Sequence, residues 1–124
     1  MKAEEVISTV LESGHRVRFT ATGDSMHPFI RSGQQLVVEA VEPRALRRGD
    51  VVLAWLERGL TAHRVVSIER RGGEVASITT RGDNCALDDP PFSPAQLVGR
   101  INGFRWGNLV TIIALARRWV RRAR

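Results

Sequence analysis

Residues 51–81, VVLAWLERGLTAHRVVSIERRGGEVASITTR, decide the fold. Three runs rich in Val, Ile, Leu and Thr (Val51 to Leu56, Leu60 to Ile68 and Val75 to Thr80) are separated by Glu57-Arg58-Gly59 and Arg70-Arg71-Gly72-Gly73. Both separators are short and contain glycine, so each closes a hairpin and the three runs predict an antiparallel meander. The same texture continues outward. Val17 to Thr22 and Gln35 to Val41 precede the meander and Val98 to Phe104 follows it. The turn signals Arg31-Ser32-Gly33, Arg48-Gly49-Asp50 and Asp88-Asp89-Pro90-Pro91 lie between the runs. The expected class is mainly β: a compact antiparallel β domain over residues 16–106.

At both ends the period changes. Val6, Ile7, Val10 and Leu11 recur at helical spacing and Gly14 ends the pattern, which predicts a short N-terminal helix within residues 1–15. Leu109, Ile112, Ile113, Ala116, Trp119 and Val120 share one helical face, which predicts a basic amphipathic helix within residues 107–124. That helix either packs on the β domain or lies flat on a membrane surface with its arginines toward the headgroups, and packing is the favoured reading.

The chain has 124 residues, 43% hydrophobic and 26% charged, which suits one globular domain and excludes a disordered tail. Its net charge of +6 resembles a nucleic-acid signal until it is divided along the chain. Arg117, Arg118, Arg121, Arg122 and Arg124 supply five charges, leaving 14 basic against 13 acidic groups elsewhere. The body of the protein is thus nearly neutral, and nucleic acid is not expected as a partner. A single cysteine, Cys85, rules out an intrachain disulfide, and with three scattered histidines it gives no zinc-ligand spacing. No cofactor is expected. No apolar run approaches the roughly 20 residues that span a bilayer, so the expected location is the cytoplasm, with peripheral membrane contact through the Arg-rich C-terminal helix left open.

Three segments carry residues suited to chemistry. Gly23-Asp24-Ser25-Met26-His27-Pro28 follows a strand, and its glycine and proline make a tight turn that could present a hydroxyl beside free backbone N–H groups. A serine hydroxyl is a weak nucleophile until a base takes its proton. The candidate bases are His15, His27 and His63, because Lys2 is the only lysine in the chain. His63 stands within an apolar strand, where a polar ring needs a partner. The loop Arg81-Gly82-Asp83-Asn84-Cys85-Ala86-Leu87-Asp88-Asp89 offers three carboxylates directly after another strand. One of them could fix the imidazole tautomer; a solvated turn is the plain alternative.

Taken in order, Ser-Met-x-Pro, Gly-Asp before a strand, His-Arg-Val and Gly-Asp-Asn-x-Ala-x-Asp-Asp resemble the S24/S26 peptidase superfamily. Within it they are most similar to signal peptidases of the endoplasmic-reticulum and archaeal type, in which the base is histidine rather than lysine. The resemblance runs from about Thr20 to Gly103. It implies Ser25 as nucleophile, with its backbone N–H in the oxyanion hole, and His63 as general base. It further implies Asp89 as the acid on His63, Asp83 as a second supporting carboxylate, and a coiled β fold that receives an extended peptide as an added strand. The implied activity is a serine endopeptidase cutting a peptide or precursor protein at small residues. Gly23 departs from the pattern, standing where many relatives carry a serine that helps bind the oxyanion. Cys85 replaces an asparagine, and the family's N-terminal membrane anchor is not found. The glycine at 23 and the missing anchor motivate the alternative of a catalytically inactive, peptide-binding module.

Overall fold

The computed structural model describes residue 11 and residues 13–103. Its framework is one antiparallel sheet of β1 (Val17–Thr20), β2 (Gln35–Glu39), β3 (Val51–Leu56), β4 (Gly59–Arg71), β5 (Glu74–Arg81) and β6 (Leu97–Ile101). The strand order is β1-β2-β6-β3-β4-β5. The meander β3–β4–β5 forms one half, and β6 pairs with both β2 and β3 to join it to the β1–β2 hairpin. Single-turn 3₁₀ helices at Pro43–Ala45 and Pro94–Gln96 lie in the connections. Apart from Leu11 and residues 13–15, the helices expected within 1–15 and 107–124 fall outside the described residues.

The uninterrupted apolar run of β3 has a structural reason: the sheet is covered on both faces there. Successive strand residues point to opposite sides. Accordingly Val51 and Leu53 join one core cluster with Met26, Ile30, Leu36, Val38 and Ile101. Val52 and Ala54 join another with Leu46, Val65, Ile78 and Phe92. All four β3 residues are at most 1% exposed. Burying each large aliphatic side chain is worth about 1.5–3 kcal/mol, so the centre of the sheet is the best-anchored part of the fold.

Strand β4 outruns its apolar stretch, continuing past Ile68 to Arg71. The extension is an exposed ribbon held by backbone pairing to β5 and by polar links. Glu69 accepts from Arg71 at 3.0 Å and from Ser77 at 3.2 Å, and the Arg71 guanidinium holds its carboxyl below the usual carboxylate range. At the outer edge of β5 the chain returns as a partial seventh strand. Asp89 N–H donates to the Thr80 carbonyl at 2.8 Å, and Ile78 and Phe92 exchange two bonds of 2.9 Å. Pro90 and Pro91, which have no N–H, stand between those anchors and limit pairing to its ends. This return strand delivers Asp89 to the site.

Candidate active site

Ser25 lies in a turn after β1 that is pinned from within and from outside. Met26 is buried at 4% exposure, and its carbonyl accepts from Phe29 and Ile30 N–H at 3.0 Å each. From the far end of the chain, Asn84 N–H donates to the Ser25 carbonyl at 2.8 Å and the Asn84 side chain to the Asp24 carbonyl at 3.1 Å. Cys85 Sγ lies 3.9 Å from the same Ser25 carbonyl. Among the described residues, no backbone–backbone hydrogen bond in turns, loops or caps uses the Ser25 N–H. Gly23, two residues earlier, has φ +84°, a conformation that L side chains rarely adopt.

His63 projects from the middle of β4 opposite Val52 of β3 and is 6% exposed. Its Nδ1 lies 2.6 Å from Asp89 Oδ2, and its Nε2 lies 3.1 Å from Ser25 Oγ. An ionised carboxylate only accepts, so the proton belongs on Nδ1 and the lone pair of Nε2 faces the serine hydroxyl. Asp89 Oδ2 also accepts from Thr80 Oγ1 at 2.8 Å. Thr80 is 1% exposed and pairs with Val65, on the His63 side of β4. Asp89 is therefore fixed twice, by its backbone on Thr80 and by its carboxylate between Thr80 and His63.

The other sequence candidates are placed elsewhere. Asp83 makes no hydrogen bond to Ser25 or His63: both its oxygens accept from Arg64, at 2.8 Å each. This pair is deeply buried, with side chains 1% and 5% exposed. Arg64 also donates to the Gly49 carbonyl at 2.8 Å, and its guanidinium carbon lies 5.6 Å from the centre of the Phe29 ring. Asp83 is thus held by Arg64, and the pair ties the loop after β5 to β4 beside His63. Asp88 points away, 3.7 Å from Arg81. His15 and His27 are exposed, and Cys85 is half-buried.

Three residues that sequence reasoning passed over prove central. Arg64, a charge inside an apolar strand, carried the same signal as its neighbour His63. Thr80 had none, because threonine is ordinary in a strand. Gly82 is the third. A Cβ there would stand 2.6 Å from both Cys85 Sγ and the Ser25 carbonyl oxygen and 3.0 Å from His63 Nε2. Only a residue without a side chain lets the loop close over the serine and the imidazole.

Two cavities flank the Ser25–His63 pair. One, of about 160 Å³, is walled by Ala21, Ser25, Met26, Ile30, Leu60 and Ala62. The other, of about 550 Å³, lies on the side of His63 and Asp89. No group of three or more His, Cys, Asp or Glu among the described residues is arranged to hold a metal ion. No helix of the described residues is long and apolar enough to cross a membrane.

A buried imidazole bridging a serine hydroxyl and a carboxylate, on a mainly β domain, has the arrangement of a Ser-His-Asp triad. Comparison with known proteins gives two matches. The family model described as Peptidase S24-like matches residues 2–101. Signal peptidase I W of Bacillus subtilis (strain 168) is 30% identical over 108 residues, covering 81% of this chain and 56% of the relative. The chain thus spans little more than half the length of the curated relative it matches. It belongs to the Peptidase S24-like family, within the S24/S26 peptidase superfamily.

Proposed function

We propose that this protein is a serine endopeptidase that cuts an extended peptide or precursor protein after a small residue. The observation that carries this reading is the unbroken chain Ser25 Oγ, His63 Nε2, His63 Nδ1, Asp89 Oδ2, with links of 3.1 and 2.6 Å. In this mechanism Ser25 Oγ attacks the scissile carbonyl carbon as its proton passes to His63 Nε2. Asp89 stabilises the imidazolium that results, and Thr80 holds Asp89 in place. In this reading the Ser25 N–H serves as a donor to the developing oxyanion. Collapse of the tetrahedral intermediate moves the proton from Nε2 to the leaving amine, and a water molecule, activated by the same nitrogen, hydrolyses the acyl-enzyme.

The preference for a small residue comes from the family resemblance, and the cavity of about 160 Å³ that Ser25 lines is the place for that side chain. The five arginines among residues 117–124 support peripheral contact with an anionic membrane surface, and we place the enzyme's action in the cytoplasm or at such a surface.

A second reading, a module that holds a peptide without cutting it, is favoured by one observation: Gly23 offers no hydroxyl to the oxyanion. Loss of one such donor lowers kcat by about 10²–10³-fold. Mass-spectrometric profiling of a diverse peptide pool separates the two. Cuts after small residues by the parent, and none by Ser25→Ala or His63→Ala, support the peptidase. Identical pools with all three proteins overturn it and leave the binding module.

A further inference from the structure

The two cavities at the Ser25–His63 pair are unequal, and their walls assign them to opposite sides of the scissile bond. Ser25 lines the smaller cavity and not the larger, while His63 lines both. The acyl residue becomes covalently joined to Ser25 Oγ, so its side chain belongs in the smaller cavity. The leaving amine must take its proton from His63 Nε2, so the departing chain has to cross the imidazole. Beyond the imidazole lies the larger cavity of about 550 Å³.

The wall of that cavity is mixed: Leu56, Leu87, Pro91 and Phe92 form its apolar part, beside Glu57, Arg58, Asp88 and Gln96. Leu87 is 81% exposed, the one large hydrophobic side chain left in water among the described residues. It projects from the same loop that clamps Ser25 through Asn84. Isolated exposed leucines are ordinary on protein surfaces. This one stands on the rim of a groove continuous with the catalytic imidazole.

We infer that the groove is the subsite for the residue following the cut, and that it selects a large apolar side chain there. The substrate then has a small residue before the bond and a leucine-like or aromatic residue after it. The inference rests on the peptidase reading above and adds to it the chemistry of the leaving segment. Discrimination between glycine and leucine by such a wall is expected to be about tenfold or more.

The test uses two peptides that differ only in the residue after the cut, Ala-Gly in one and Ala-Leu in the other. Their binding to full-length Ser25→Ala is measured by fluorescence anisotropy and their turnover by the parent protein. The expected result is about tenfold tighter binding of the leucine peptide, a gap that falls to about threefold when Leu87→Ser is added and persists with Leu87→Met. Equal affinities, or a gap untouched by Leu87→Ser, overturn the groove assignment even if the parent cuts both peptides. If the gap is present but the parent cuts neither peptide, the groove stands and the peptidase reading falls. Absence of both binding and cleavage overturns both.

Discussion

Replacing Gly82 by alanine is the sharpest test of the site, because the sign of its effect on stability is itself diagnostic. Gly82 is not among the glycines with positive φ, so its backbone suits any residue. In open surroundings such a Gly→Ala change raises stability by about 0.4–1 kcal/mol through the unfolded chain. Here the new methyl would meet the Ser25 carbonyl oxygen at 2.6 Å and His63 Nε2 at 3.0 Å. The Cys85 thiol can turn aside, but the Ser25 carbonyl is held by Asn84 N–H at 2.8 Å. Restoring ordinary contact requires the serine turn to retreat by about 0.8 Å. Overpacking of this kind lowers stability by about 1–3 kcal/mol, and a shift near 1 Å at a reacting centre lowers turnover by about 10²-fold. At roughly 4 °C per kcal/mol for a chain of this size, Tm should fall by roughly 4–12 °C. Thermal unfolding and kcat/KM on an Ala-containing peptide measure the two effects separately. A Gly82→Ala protein with a raised Tm and parental turnover would refute the crowding argument and, with it, the closeness of loop, serine and imidazole.

The two aspartates should separate in kind. Asp89→Asn is expected to keep a near-parental Tm and lose about 10³–10⁴-fold in kcat, because the amide no longer enforces the Nδ1–H tautomer. Asp83→Asn is expected to destabilise the fold by about 3 kcal/mol in denaturant titration, since it leaves the buried Arg64 charge without its counter-ion; matching profiles for the two variants would contradict the division of roles. Thr80→Val removes the hydroxyl bonded to Asp89 and should lower kcat about tenfold with little change in KM, while Thr80→Ser restores the rate. In the core, Leu53→Ala should shift the denaturation midpoint by an amount equivalent to about 2–5 kcal/mol. A loss below 1 kcal/mol would argue against a sheet covered on both faces.

Local chemistry was legible in the sequence, and long-range neighbourhood was not. The glycine-bearing turns at residues 57–59 and 70–73 announced the β3–β4–β5 meander because hairpins join strands adjacent in the chain. Nothing local announced that β6 would pair with both β2 and β3, since those pairings depend on which edges remain open after the hairpins form. The exposed end of β4 escaped notice because Glu69, Arg70 and Arg71 have no apolar periodicity, and backbone pairing needs none. His63 stood out as a polar ring in an apolar strand, and the structure gives it partners in Asp89 and Ser25. By the same logic Arg64 called for a counter-ion, and reading the two together would have drawn Asp83 away from the histidine. Gly82 was visible only as part of a motif and Thr80 not at all, because close approach and a buried hydroxyl bond exist only once distant segments meet.

The bonds that assemble the site are long in the chain: 26 residues separate His63 from Asp89, 38 separate Ser25 from His63, and 60 separate Asp24 from Asn84. Such contacts form late, after the intervening loops have closed. A polypeptide emerging from the ribosome therefore carries its serine through most of synthesis with neither an oriented base nor a clamp on the turn that presents it. The histidine's acidic partner arrives only with the return strand at Asp89, and β6, which joins the two halves of the sheet, follows later still.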